Sequence, residues 1–330
     1  TKCSDGWRYI PIELIDLPGL IKDAWKGKGL GNQFLSIAAQ SDALLHVVDA
    51  SASIDSSGRI TETGTGDPVS DFADIEEELN MWYQKILEGN REKLHKMIKS
   101  ENDHISALTE LYQGLGVKNS HVMESLRITG LEGKNIENYD LHDSKKLSTQ
   151  LRKISKPTLI VANKIDVPGA DKNFVRLRER YNDMIVVPAS ADSELTLRRA
   201  EQKDLIKYSP GSELFDILKT NELNQKQKDA LDFIKKDIMG EYMRTGVQFA
   251  INITVFKLLK MNSIYPVANP ENLSDKKGRV LPDLVLLKDG ATVVDLAKEV
   301  HSDLVKGHLY AKDLRYKLRV PTNYQLRDRD

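Results

Sequence analysis

Four stretches of the chain are almost continuously apolar, and each runs into a polar turn. They are residues 10–15 ("IPIELI"), 43–50 ("ALLHVVDA"), 157–166 ("PTLIVANKID") and 184–191 ("MIVVPASA"). Runs without alternation mark strands of a parallel sheet covered on both faces. Helical spacing fills some of the intervals, in "GNQFLSIAAQSD" (31–42) and "DKNFVRLRERYND" (171–183). Strand-helix-strand alternation predicts an α/β doubly wound, mostly parallel sheet.

The interval 71–155 breaks that rhythm. Ile75, Leu79, Trp82 and Ile86 recur at three- and four-residue spacing, and Leu94, Met97, Ile98, Ile105, Leu108, Leu111 and Leu115 continue it after "GNRE". This predicts two long amphipathic helices packed antiparallel, a coiled-coil-like insertion, with a polar patch at 129–144 and a shorter helix after it. The stripe reads as helix–helix core; a partner-binding surface is the alternative. Beyond the fourth strand, 225–239 and 246–261 carry helical periodicity. From residue 262 short strands, turn residues and one helix (292–301) predict a small α+β domain, with a last strand expected where the chain reads "NYQLRDRD". The expected divisions are 1–70, 71–155, 156–262 and 263–330.

Bulk composition narrows the classes. A length of 330 residues leaves room for two or three domains. A net charge of -1 predicts no global attraction to nucleic acid or membrane, so any such partner must use a local patch. The single Cys3 excludes an internal disulfide framework and suits a reducing cytosol. No apolar run is long enough to span a bilayer and no signal peptide is visible, so a cytoplasmic protein, taken as a monomer, is expected. The chain begins at Thr1 without a methionine, and its true start is expected upstream.

The candidate chemistry sits where the apolar runs end. In open α/β sheets ligands bind beyond the carboxyl ends of the strands. Asp16 and Gly19 form D-x-x-G there. Such an aspartate can hold Mg²⁺, usually through water, and a glycine N–H can approach a phosphate oxygen unobstructed by a Cβ. Asn163-Lys164-Ile165-Asp166 ends the third run. A carboxylate at Asp166 can accept from the guanine ring N–H and exocyclic amine together, a donor pair that adenine lacks. Asn163 can brace the loop and the Lys164 stem can lie along the base. Ser190 and Ala191 end the fourth run, where small residues let a backbone N–H reach the guanine carbonyl. Each motif alone also suits an ordinary polar turn; their order is what points to a GTP-binding domain.

Together "DLPG", "GKGLGNQFL" (27–35), "HVVDAS", "NKID" and "PASA" resemble the Obg-like GTPases of the translation-factor class, most closely the YchF branch in its archaeal form. The segment "VLPDLVLLKDGATVVDLAKEVHSDL" resembles a TGS domain. The resemblance spans essentially the whole chain and implies a P-loop NTPase-type G-domain with a helical insertion and a ubiquitin-like C-terminal module. It implies a GTP- and Mg²⁺-dependent switch in which Gly19 senses the γ-phosphate and the loop with Gly27, Gly29 and Gly31 changes state. TGS-like modules accompany RNA or ribosome binding, so Lys306, His308, Lys312, Arg315, Lys317 and Arg319, interleaved with Tyr310 and Tyr316, are the candidate RNA contacts; an ordinary solvated basic face on a half-buried strand is the alternative.

Three departures qualify the resemblance. No G-x-x-x-x-G-K-[S/T] occurs in the 330 residues; family proteins carry it, and a switch threonine, upstream of the D-x-x-G, so a native segment before Thr1 is implied. Other YchF branches alter N-K-x-D and favour ATP, whereas "NKID" is intact here. Trp25 stands where many relatives have histidine, so no catalytic role carries over to it. Leu20 is not a departure: it occupies the position of the water-orienting glutamine in Ras-like enzymes, as in the family class with a hydrophobic residue there, and cannot orient water, which implies slow hydrolysis and leaves the catalytic group unassigned. The alternatives are a YchF-type ATPase and a non-enzymatic RNA- or ribosome-binding adaptor.

Overall fold

The computed structural model describes residues 2–4, 7–17, 37–55, 58–101, 103–275, 277–280, 283–307 and 310–329. The chain divides into two compact units, Ile15–Thr254 and Thr1–Leu14 with Val255–Asp330.

Among the described residues the larger unit is built on a parallel sheet of three strands, Leu44–Asp49, Thr158–Asn163 and Val186–Pro188, in that spatial order. The central strand reads "TLIVAN", and its first five residues are buried, as a strand covered on both faces requires. Its register sets Asp49 opposite Asn163 and Ala162 opposite Pro188, so the three strands end side by side. Val48, Ala50, Ile160 and Ala162 share a cluster with Phe72, Ala170 and Leu177. That packing seats the Ala170–Arg180 helix against the sheet.

Residues 10–15 do not form the expected strand. They are irregular, and Ile12, Leu14 and Ile15 are exposed. An apolar run becomes a strand only beside a ladder that accepts its backbone groups, and no described residue pairs with this one. The strand nearby is a short hairpin, Lys2–Ser4 with Trp7–Tyr9. The "GNQFLSIAAQSD" helix falls largely outside the described residues; 37–40 are helical.

The insertion is helical, but among the described residues it comprises five α-helices, Pro68–Gly89, Arg91–Glu101, His104–Leu111, Asn119–Thr129 and Leu141–Ser155, rather than two long ones and a shorter; the last, after the polar patch, is the shorter helix expected there. Periodicity persisted while the backbone direction changed. Asp103 caps a new helix by accepting from the Ile105 N–H, and left-handed Gly130 closes another. The stripe is core, as its spacing predicts. Leu94, Ile98, Leu108 and Leu115 are buried with Tyr83, Tyr112, Leu147 and Leu151, while Trp82, Ile86, Met97, Ile105 and Leu111 pack against them. Each fully buried aliphatic chain there contributes about 1.5–3 kcal/mol. Tyr112 donates its hydroxyl to the Tyr83 carbonyl, and the two rings stack at 5.5 Å.

The two later helical stretches each contain a π-turn, at Ile234–Ile238 and Thr254–Leu258. In the smaller unit Met261–Ile264 pairs antiparallel with Val285–Lys288, and Ala311–Asp313 with Leu318–Val320. The Val293–Val300 helix starts at a capping box between Thr292 and Asp295. Ile264, Leu287, Val293, Val320 and Leu326 form its core. At "NYQL" the chain runs alongside 291–293: the Val293 N–H donates to the Tyr324 carbonyl and the Leu326 N–H to that of Ala291. Among the described residues no helix is long and apolar enough to cross a membrane.

Candidate nucleotide-binding site

The three parallel strands end in Asp49, in Asn163-Lys164-Ile165-Asp166 and in the turn before the Ala191–Gln202 helix. Two of these ends are tied to each other. The Asn163 side-chain oxygen accepts the Ala191 N–H at 3.0 Å, and the Ile165 N–H donates to the Ala189 carbonyl at 3.1 Å. Asn163 thus braces the loop as its type suggests, and the Ala191 N–H, expected to face a base carbonyl, is held by Asn163. Ser190 is buried and caps the helix by accepting from the Ser193 N–H; its own N–H goes to the Thr245 carbonyl at 2.8 Å.

Asp166 lies half-buried in the turn that follows. Among the described residues nothing hydrogen-bonds or ion-pairs with its carboxylate. Lys164 takes the left-handed conformation at φ 63°. Its ammonium lies 2.9 Å from an Asp49 carboxylate oxygen and 3.0 Å from the Ser53 hydroxyl. Ser51 and Ser53 each donate both their N–H and their hydroxyl to Asp49. Burial raises the Asp49 carboxyl, but the Ser51 and Ser53 hydroxyls and Lys164 outweigh it, so its pKa lies below the ordinary value.

A second layer supports the Ser190 turn. Glu194 is buried and accepts from the Tyr208 hydroxyl at 2.8 Å, the Thr245 hydroxyl at 2.5 Å and Arg198 at 2.9 Å. Gly246 stands at φ 87°, and an added Cβ would lie 2.0 Å from the Pro188 carbonyl oxygen. Only glycine fits that approach. Asp49, Glu194, Thr245 and Gly246 were not singled out by motif reading. "HVVDAS" contains Asp49, but its partner is far along the chain, and "RTG" carries no distinguishing signal.

The phosphate side is less defined. Asp16 is an exposed carboxylate in irregular chain. Gly19, Leu20, Trp25, Gly27, Gly29 and Gly31 lie outside the described residues. Among the described residues no three His, Cys, Asp or Glu side chains converge to hold a metal. They do not themselves build a Mg²⁺ site.

In the smaller unit Lys312 and Arg319 stand directly opposite in the antiparallel ladder, so both project from one face. Both are exposed, as are Arg315, Tyr316 and Lys317 in the connecting turn. The Arg319 guanidinium lies over the Tyr310 ring at 4.6 Å and that of Arg315 over Tyr316 at 5.3 Å. The Lys306 side chain and His308 lie outside the described residues.

A parallel sheet with these loops side by side at its carboxyl edge, interrupted by a helical insertion, is the frame of a P-loop GTPase-class protein. Residues 161–269 match the family described as Obg-like GTPase YGR210-like, G4 motif-containing domain; 3–87 match 50S ribosome-binding GTPase, and 273–330 match the TGS domain. GTP-binding protein MJ1332 of Methanocaldococcus jannaschii is 40% identical over all of this chain and 82% of its own length. GTP-binding protein C428.15 of Schizosaccharomyces pombe is 31% identical over 90% of this chain and 74% of its own. The crystal structure of a GTP-binding protein from Pyrococcus horikoshii superposes with a TM-score of 0.73 at 34% identity, over 89% of this chain and 78% of that one. The chain belongs to the Obg-like GTPases, of the YGR210/MJ1332 type, with a C-terminal TGS domain.

Proposed function

We propose that the protein is a GTP-binding molecular switch that hydrolyses GTP slowly, as a magnesium complex, and reports its state to the translation machinery. Asp166 carries the reading: a half-buried carboxylate at a strand end, without a described partner, beside the brace between Asn163 and Ala191. Two guanine donors satisfy it, whereas adenine would leave a desolvated charge unmatched. GTP would order the loop from Asp16 to Asn32, with Gly19 against the γ-phosphate, and hydrolysis would release it. Leu20 in place of a water-orienting glutamine makes intrinsic turnover slow.

Competition against labelled GTP in the full-length protein tests this. GTP should displace the label at a concentration on the order of 100-fold below that of ATP. Equal displacement would reject the guanine reading in favour of the ATPase alternative. Phosphate release separates a switch from a non-enzymatic adaptor, which would bind nucleotide without turnover.

The ribosome enters through the family described for residues 3–87 and through a relative, the ribosome-binding ATPase YchF of Bacillus subtilis, 30% identical over 59% of this chain and 52% of its own. The basic face of Lys312 and Arg319, with Tyr310 and the turn at Arg315 and Lys317, supplies charge and stacking surface for RNA. Replacing Lys312 and Arg319 by alanine should weaken binding to ribosomal RNA and flatten its salt dependence by about 0.7 per lost contact to single-stranded RNA. Unaltered binding and slope would remove this hairpin from the interface.

A further inference from the structure

In the proposed guanine site, Lys164 is the side chain that should lie along the base, and the structure shows what its ammonium does. It spans from the second strand's end to the first. It reaches Asp49 at 2.9 Å and Ser53 at 3.0 Å. The Asp49 side chain is only 7% exposed, while that of Lys164 is 40% exposed. A buried acceptor therefore holds the tip of a chain whose stem remains accessible.

The acceptor is itself fixed. One Asp49 oxygen takes the Ser51 N–H and hydroxyl at 3.0 and 2.6 Å; the other takes those of Ser53 at 3.2 and 2.7 Å, together with Lys164. A carboxylate with its acceptor sites filled has little freedom to turn. Its backbone is equally constrained, because Asp49 ends a ladder register opposite Asn163, and the Ala50 N–H donates to the Asn163 carbonyl at 2.9 Å. The following loop is closed by bonds from the Gly64 N–H to the Ser51 carbonyl and from the Thr61 N–H to the Ser53 carbonyl.

We infer that Asp49, locked by Ser51 and Ser53, is a positioning residue for nucleotide recognition: it holds Lys164 in its base-facing arrangement before the ligand arrives. A free lysine would lose side-chain entropy on binding. Here that ordering precedes binding, which is the general route by which preorganisation raises affinity. The left-handed backbone at Lys164 fits the same role, because it is a strained conformation that the surrounding bonds maintain. The inference rests on the GTP reading for its ligand, but the clamp exists without one.

Two measurements on the full-length protein test it. The first needs no nucleotide: amine-selective labelling of Lys164, followed by mass spectrometry. Asp49→Asn and Ser53→Ala should each label Lys164 several-fold faster than the unsubstituted protein, with other lysines unchanged. The second is a double-mutant cycle on GTP and GDP affinity. Asp49→Asn should weaken both about tenfold, and should cost little more once Lys164→Ala is present, because Asp49 acts through that lysine. Asp49→Glu, which keeps the charge, should recover part of the loss. Unchanged labelling overturns the clamp whatever the nucleotide data show. Faster labelling with fully additive affinity losses overturns its role at the base. Failure of the unsubstituted protein to bind guanine nucleotides overturns the GTP reading and this role with it, and the labelling result tells that failure apart from loss of the clamp.

Discussion

Asp166→Asn will abolish most of the preference for guanine nucleotides. In the proposed site the carboxylate would accept two hydrogen bonds from a guanine edge, and bonds to a charged group contribute about 1.5–3 kcal/mol each. The amide keeps one acceptor and turns its other end into a donor, which faces the donor amine of guanine. GTP affinity should fall on the order of 100-fold. Xanthosine triphosphate, with a carbonyl where guanine has the amine, should gain relative to GTP. The fold should tolerate the change, because Asp166 lies in a turn and bonds to no described residue. Competition binding with GTP, ATP and xanthosine triphosphate reads the result. A retained GTP preference would remove Asp166 from base recognition.

Arg152→Ala will be among the most destabilising single changes in the larger unit. Arg152 is 1% exposed and sits at the junction between the helical insertion and the sheet. It ion-pairs with Glu76 of the first insertion helix and bonds to Asn80. It also donates to the Lys156 carbonyl at 3.3 Å and to the Thr158 hydroxyl at 3.0 Å, where the central strand begins. Burial lowers its pKa to about 10, so it remains charged at neutral pH. Nearby His46 is lowered to about 4 by burial and by Arg152, and is neutral there. Removing one partner of a buried pair leaves the other charge uncompensated, at about 3–5 kcal/mol. Thermal unfolding should shift downward on the order of 10 °C. The pair itself is not predicted to be a large net stabiliser. Replacing Glu76 and Arg152 together by leucine and methionine should recover most of the loss. A double variant no better than Arg152→Ala would show that the remaining bonds to Asn80, Lys156 and Thr158, rather than the stranded charge, account for the loss.

Much of the fold is legible in the chain because its signals are local. The runs "LLHVVD" and "TLIVAN" are apolar at every position but the last or nearly so, and both became parallel strands; the central one is buried as expected, whereas Leu44–Asp49 is mostly half-buried with Val47 exposed. The insertion's stripe became core for the same reason: spacing alone puts Leu79, Leu94, Ile98 and Leu108 on inward faces. The segmentation into five helices was not legible from periodicity. A helix that ends and restarts in phase leaves the hydrophobic period intact, and only caps such as Asp103 mark the break. Residues 10–15 carry as clear an apolar signal as any strand, yet they are irregular. Whether such a run joins a sheet depends on a neighbour, which composition does not record.

The candidate site divides along the same line. Asn163, Lys164, Asp166, Ser190 and Ala191 were legible because each lies in a short motif at the end of an apolar run. By itself the sequence determined the order of those motifs, and with it the family and the ligand class to test. Only the tertiary structure decided what the motifs touch. Lys164 meets Asp49 across 115 positions of chain. The Ser190 N–H is taken by the Thr245 carbonyl, and Gly246 is required by the Pro188 carbonyl pressed against it. Hydrogen-bonding capacity belongs to each residue type and can be read one position at a time. A partner is chosen by strand register and packing, which bring distant segments within about 3 Å, where such a bond forms.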